Sequence, residues 1–310
     1  MEGFIMFNRR DFIRNSLLFS AAALIPETSI AEILKQRVIR LVVLNTNDWH
    51  SRIDPFPEND PKFPGQGGFS RRASYVEQVR NEEEHVLLLD AGDIFQGTPY
   101  FNFYEGELEF KLMSYLKYDA ATFGNHDFDN GVEGLLKQWQ HAKFPFINSN
   151  YDFNNSDLNG KVLPYKIFKK GPLKIGVLGV GIELDGLVPK KNFEGIVYHD
   201  PVAKAKEMSA RLKNDYKCHL VICLSHLGYK YENNKVSDRI LAAENEHIDL
   251  IIGGHTHTFM EAPEKIMNKA GNFTLVTQMG WAGLKIGHLT YEFSEKSGNL
   301  VVMLVRNENF

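Results

Sequence analysis

From residue 38 onward the chain alternates short, almost wholly apolar runs with stretches whose apolar residues recur at helical spacing. The runs 38–45 (VIRLVVLN), 86–90 (VLLLD), 120–123, 146–150, 173–180 (LKIGVLGV), 219–224 and 248–252 read as buried β-strands. The glycines within 173–180 predict close approach of another backbone. Ala73, Val76 and Val79 mark a helix, and 108–116, 131–141, 201–216 and 235–245 read as further helices. Pro201 suits the first turn of its helix. Pro55, Pro57, Pro61 and Pro64, with Gly65, Gly67 and Gly68, mark a long loop after the first strand. The tail is strand-like at 275–276, 284–293 and 300–305, with a turn at Ser297-Gly298-Asn299. Strands alternating with helices predict an α/β sheet protein with its site at one sheet edge, and the tail predicts a second sheet packed on the first.

At 310 residues, 43% of them hydrophobic and 24% charged, the chain has ample length for a buried core. No repeat, linker or low-complexity tract follows residue 35, so 37–310 reads as one domain. The formal charge of −4 is spread through the chain, with no basic stripe for nucleic acid and no patch for a membrane surface. Residues 1–31 differ: Asn8-Arg9-Arg10-Asp11-Phe12 precedes an apolar run over 17–25 and the small residues Ser29 and Ala31. That pattern reads as a twin-arginine-type export signal, with an ordinary signal or an amphipathic helix as the plainer alternative. The apolar run is shorter than the ~20 residues a membrane span needs. No cysteine follows it, so no stable membrane anchor is expected, and the chain is read as periplasmic or otherwise exported. Cys218 and Cys223 fall in one expected strand, on opposite faces and too far apart for a disulfide; both read as core.

The chemistry concentrates where the apolar runs stop. Asp48-Trp49-His50, Gly92-Asp93, Gly124-Asn125-His126-Asp127, Ser225-His226 and Gly254-His255-Thr256-His257 each follow an expected strand, and they hold five of the chain's eleven histidines. Taken singly, each has an ordinary explanation: Asp93 as a turn or helix cap, His226 as a core histidine, Asn125 to Asn130 as a polar turn. Together they supply the carboxylate, imidazole and amide oxygens that two divalent ions require. His126 is left free for proton transfer, and Asp129, three residues on, can bond its second ring nitrogen and fix the tautomer. Trp49, Trp139 and Trp281 read as packing residues, and His85, His141, His199, His219, His247 and His288 as surface or core histidines.

In that order, Asp-x-His, Gly-Asp, Gly-Asn-His-Asp, a later His and Gly-His-x-His resemble the signature of the calcineurin-like metallophosphoesterase superfamily. More narrowly, Thr46-Asn47-Asp48-Trp49-His50, Gly67-Gly68, Leu89-Asp90-Ala91-Gly92-Asp93, Tyr118-Asp119-Ala120, the run from Gly124 to Gly131 and Gly280-Trp281-Ala282 resemble the catalytic (N-terminal) domain of the 5′-nucleotidase family. The resemblance covers almost the whole chain after the signal. It implies a four-layer α/β fold, two mixed β-sheets sandwiched between α-helices. It implies Asp48, His50, Asp93 and His257 on one metal and Asp93, Asn125, His226 and His255 on the other. His126 and Asp129 become the catalytic dyad, and Asp127 takes no catalytic role.

The function so implied is hydrolysis of phosphate monoesters, 5′-nucleotides first among them, by in-line attack of metal-activated water. The two divalent ions are of undetermined identity: Zn, Mn, Fe or Co. A cyclic-nucleotide phosphodiesterase, a nucleotide-sugar hydrolase and a sulfur-ester hydrolase are the alternatives on the same fold. A non-catalytic metal-binding partner subunit is the alternative of another class. Members of this branch continue into a C-terminal nucleotide-binding domain, whereas this chain ends at Phe310, about where that domain is expected to begin. Either substrate choice is broad or a separate chain supplies the pocket.

Overall fold

The computed structural model describes residues 38–310; the segment read as an export signal, 1–31, lies outside the described residues. Two six-stranded sheets form the centre. The first opens with β1 (Val38–Thr46), β2 (Val86–Asp90) and β3 (Ala120–Ala121), which run parallel. β12 (Lys285–Ser294) and β13 (Leu300–Val305) extend it antiparallel on the other side of β1, and β14 (Glu308–Asn309) pairs with β12. The second sheet has a parallel centre: β6 (Leu173–Gly181), β8 (Leu220–His226), β9 (Leu250–Gly253) and β11 (Phe273–Thr277). Antiparallel edges close it, β5 (Tyr165–Lys170) beside β6 and β10 (Glu264–Met267) beside β11. β4 (Tyr151–Asp152) and β7 (Val197–Tyr198) form a separate two-stranded ribbon.

The alternation of side chains along each strand builds the layers. In β1, Leu41 and Val43 join Leu87, Leu89, Ile222, Leu224 and Ile252 in a core between the sheets. Val42 and Leu44 turn the other way, onto helices α1 (Phe69–Glu82), α3 (Glu107–Tyr115) and α4 (Gly131–Gln138). A short helix, α2 (Pro99–Tyr104), precedes α3. On the far face of the second sheet, Val221, Cys223 and Ile251 pack against α5 (Pro201–Ala210) and α6 (Asp238–Glu244). The result is the four-layer α/β arrangement, two mixed sheets between helices. Each fully buried aliphatic side chain in these layers contributes about 1.5–3 kcal/mol.

Three expectations change. The tail does not make a second sheet of its own: β10 and β11 complete the second sheet, and β12 to β14 complete the first. Residues 146–150 form no ladder strand, only single bridges from Phe146 to Ala121 and from Ile147 to Leu163. Cys218 precedes β8 rather than lying in it, so it escapes the alternation and shares the helix-side core with Cys223; both are free thiols. The expected close approach at the glycines of β6 is present: a Cβ on Gly179 would lie 2.0 Å from the Ile147 carbonyl oxygen. No helix among the described residues is long and apolar enough to cross a membrane.

Candidate metal centre

The polar clusters meet in the crevice between the two sheets, at the carboxyl ends of their parallel strands. β1 delivers Asp48 and His50, β2 delivers Asp93, and β3 leads into Asn125 and the single 3₁₀ turn His126–Phe128. From the second sheet, β8 ends on His226 and β9 runs into His255 and His257. Strand pairing continues into the loops: the N–H groups of Asp48, His50 and Ser51 donate to the carbonyls of Gly92, Asp93 and Ile94. This continuation fixes the first two clusters relative to each other.

Five of these side chains stand on strained backbone. Asp48, His50, Asp93, His255 and His257 have φ values of 48°, 52°, 57°, 72° and 51°. Left-handed conformations outside glycine cost about 1–3 kcal/mol each and persist where surrounding bonds over-determine them. Asp127 is the main such clamp. Its buried carboxylate accepts N–H groups from Asp93 (3.0 Å), Ile94 (2.9 Å), Phe95 (3.3 Å) and Gly124 (2.8 Å). Burial first, and the Asp93 charge second, push its carboxyl up to about 7, against the pull of the Gly124 N–H. Gly124 itself admits no side chain, since a Cβ there would lie 2.0 Å from Asp93 Oδ1.

The donor atoms form two groups, Asp48/His50/His257 and Asp93/His226/His255, each with its ligand atoms within 4.8 Å of one another. They meet at Asp93, whose Oδ2 lies 3.8 Å from His50 Nε2 and 3.1 Å from His226 Nε2. Asn125 joins the second group, with Oδ1 2.9 Å from His255 Nδ1.

The hydrogen bonds behind these atoms leave lone pairs facing inward. His226 Nδ1 meets the Ala91 carbonyl at 2.7 Å; a carbonyl only accepts, so Nδ1 carries the proton and Nε2 offers a lone pair. That Nε2 is buried, makes no hydrogen bond and faces a carboxylate. His50 Nδ1 likewise meets the Phe95 carbonyl, at 3.3 Å, and its Nε2 stands 3.0 Å from His257 Nε2, where only one of the two can donate. Burial lowers the pKa of His50, and it lowers that of His255 to about 4. Burial opposes charge on His226 too, but Asp93 and Asp48 outweigh it and push its pKa up to about 10, so its Nε2 lone pair becomes available to a cation that displaces a proton. Among the described residues no lysine or arginine pairs with Asp48 or Asp93. Inward lone pairs around uncompensated buried carboxylates are the setting a divalent cation fills, so the residues present fit a two-ion site.

His126 and Asp129 stand at the edge of this centre. His126 Nδ1 lies 2.9 Å from Asp129 Oδ2, and the His126 N–H donates to Asp93 Oδ1 at 2.8 Å. The bond to Asp129 is the main reason its pKa is raised, against partial burial. All the sequence-derived site residues therefore converge. Two supports escape a reading of the residues alone. Asp127 carries no role there, and its four N–H partners become visible only in three dimensions. Asn47 donates from Nδ2 to Asp48 Oδ2 (2.6 Å) and the Gly280 carbonyl (2.7 Å), and accepts from the Met279 N–H (2.8 Å). Its place beside Asp48 is the only signal along the chain.

Comparison with known proteins agrees with this geometry. Residues 41–259 match the calcineurin-like phosphoesterase family. A snake venom 5′-nucleotidase from Crotalus adamanteus is 33% identical over 84% of this chain and 46% of its own length. A 5′-nucleotidase from Vibrio cholerae is 35% identical over 86% of this chain and 51% of its own. The chain thus spans about half the length of these curated relatives. Among solved structures, a 5′-nucleotidase precursor from Thermus thermophilus superposes with a TM-score of 0.79 at 28% identity, over 88% of this chain and 55% of that one. The NAD nucleotidase of Haemophilus influenzae gives 0.75 at 27% identity, over 87% and 56%. With its site, its four layers and its sequence in agreement, the chain belongs to the calcineurin-like phosphoesterase family, with 5′-nucleotidases among its relatives.

Proposed function

We propose that this chain, with a catalytic domain at 37–310, is an exported two-metal hydrolase that releases phosphate from phosphate monoesters, 5′-nucleotides being the substrate class. The observation that carries the reading is the convergence of two donor groups on the buried carboxylate of Asp93, 3.8 Å from His50 and 3.1 Å from His226. Asp48, His50, Asp93 and His257 hold one ion, and Asp93, Asn125, His226 and His255 hold the other. The mixed oxygen and nitrogen set suits Zn, Mn, Fe or Co. When bound, two such ions supply positive charge to phosphoryl oxygens and lower the pKa of water. Asp127 and Asn47 hold the strained loops so that the donor atoms are in place before any ion or substrate arrives.

Asp129 keeps the Nδ1 proton of His126 and so directs Nε2 outward. Protonated at Nε2, His126 stabilises the charge that develops on the leaving oxygen, or transfers that proton to it, worth ~10²–10⁴-fold in rate. The nucleotide substrate class is supported by the relatives, each a nucleotidase by name. Export is supported by the pattern of residues 1–31. The deciding experiment measures phosphate release from AMP, cyclic nucleotides, a sugar nucleotide and an aryl phosphate, with added metal and a chelator control. Chelator-sensitive cleavage of AMP is the expected result. Cleavage of the aryl ester alone would place nucleotide recognition outside residues 37–310, and no cleavage of any ester by two-metal protein would overturn the reading.

A further inference from the structure

Gly280-Trp281-Ala282 has no part in the chemistry above, yet it lies against the metal centre. His226 and His50 each have the far ring nitrogen bonded to a main-chain carbonyl, the usual device for fixing a ligating imidazole. Among the described residues no hydrogen bond reaches Nδ1 of His257. Its side chain is 40% exposed, against 7% for His50 and 0% for Asp48 in the same group. Gln278 Oε1 accepts the Thr258 N–H and the Thr256 hydroxyl, which holds the main chain around His257 but leaves its Nδ1 unbonded.

What meets the ring is Trp281. Its indole lies 5.7 Å from the His257 imidazole with an angle of 9° between the planes. Trp281 is itself held. Phe56 and Phe63 meet it edge-on, at 5.8 Å and 79° and at 6.5 Å and 73°. The Ala282 N–H donates to the Asp48 carbonyl at 2.8 Å, and Asn47 bonds both Gly280 and Met279. The tryptophan loop is therefore tied to the loop that carries Asp48.

We propose that Trp281 is a positioning residue for the Asp48/His50/His257 site, its indole face setting the plane of the His257 imidazole, whose Nδ1 has no hydrogen bond to do so. A ring held by a flat neighbour loses less rotational freedom when it takes up an ion. The inference rests on the two-metal reading, and its test separates the two.

Metal-free full-length chain is titrated with Zn²⁺, and separately with Mn²⁺, by calorimetry, with bound metal counted by elemental analysis. Wild type takes up two ions. Trp281→Ala is expected to weaken one of them ~10–100-fold, the usual range for losing the support behind a ligand, and to leave the other unchanged. The unchanged ion reports that the variant is folded. Trp281→Phe, which keeps a flat face, stays near wild type, and Trp281→Leu, which keeps bulk alone, behaves like Trp281→Ala. Two unchanged affinities in Trp281→Ala, or rescue by leucine, would overturn the stacking role. Loss of both ions together would assign Trp281 to the fold and not to one site. Wild type that binds fewer than two ions would instead sink the two-metal reading.

Discussion

The two ends of the paired sheets treat carboxylates in opposite ways. At the carboxyl ends of the strands, Asp48 and Asp93 are fully buried, and among the described residues imidazoles are the only basic side chains that meet them. At the other end Asp249, just before β9, keeps 39% of its side chain in solvent, pairs with Lys213 at 3.3 Å and accepts the Val221 N–H at 2.8 Å. One end carries a lysine as its counter-cation; the other offers its carboxylates only imidazoles and N–H donors. Buried charge without a partner costs several kcal/mol per ion. The site end is thus a cost the regular apolar layers must offset.

The sharpest way to break this contrast is Asp93→Ala, which removes the carboxylate that lies between the two groups, 3.8 Å from His50 and 3.1 Å from His226. Bound metal should fall from two ions toward none and phosphate release below detection; retention of two ions would mean that Asp93 is not the junction. His126→Ala should lower kcat by ~10²–10⁴-fold while both ions stay bound. Loss of metal in that variant would make His126 a ligand.

Leu224→Ala, in the core between the sheets, probes the offsetting side. It should destabilise the chain by about 2–5 kcal/mol in denaturant unfolding. The remaining folded protein should keep both metal affinities, and a collapse of those affinities would show that core and site are one unit. The smallest effect belongs to Asp249. Burial raises its pKa, and Lys213 only partly opposes this. A carboxyl with a raised folded-state pKa adds stability below the ordinary carboxylate range and loses it as pH climbs through the raised value. Metal-free Asp249→Asn should therefore show a flatter fall of Tm with pH over that window. Solvent around the side chain keeps the difference small, and an unchanged slope would remove Asp249 from the comparison.

Much of this is legible in the residues. The central strands announce themselves as apolar runs because both their faces are buried, as in β2, β8 and β9. Strands β5 and β10 give no such signal, because edge strands are half-exposed and carry lysines such as Lys166, Lys169 and Lys265. Helix α2 is hidden because six residues with four aromatics, Pro99–Tyr104, show no helical period. The site residues are legible because each follows a strand, and parallel strands bring their carboxyl ends to one crevice.

By itself, then, the sequence determined the chemistry on offer: which donors exist, which strands end beside them, and that His126 has Asp129 three residues away. Only the tertiary structure decided how they are used. The division of the tail between two sheets depends on β12 pairing with β1, a contact across most of the chain. The left-handed turns at Asp48, His50, Asp93, His255 and His257 depend on bonds from Asp127, Asn47 and neighbouring loops that no local pattern encodes. The stacking of Trp281 on His257 joins two loops that look unrelated along the chain. Composition and period report which surfaces must be buried. Relations between loops arise from packing, and packing is settled only when both sheets are in place.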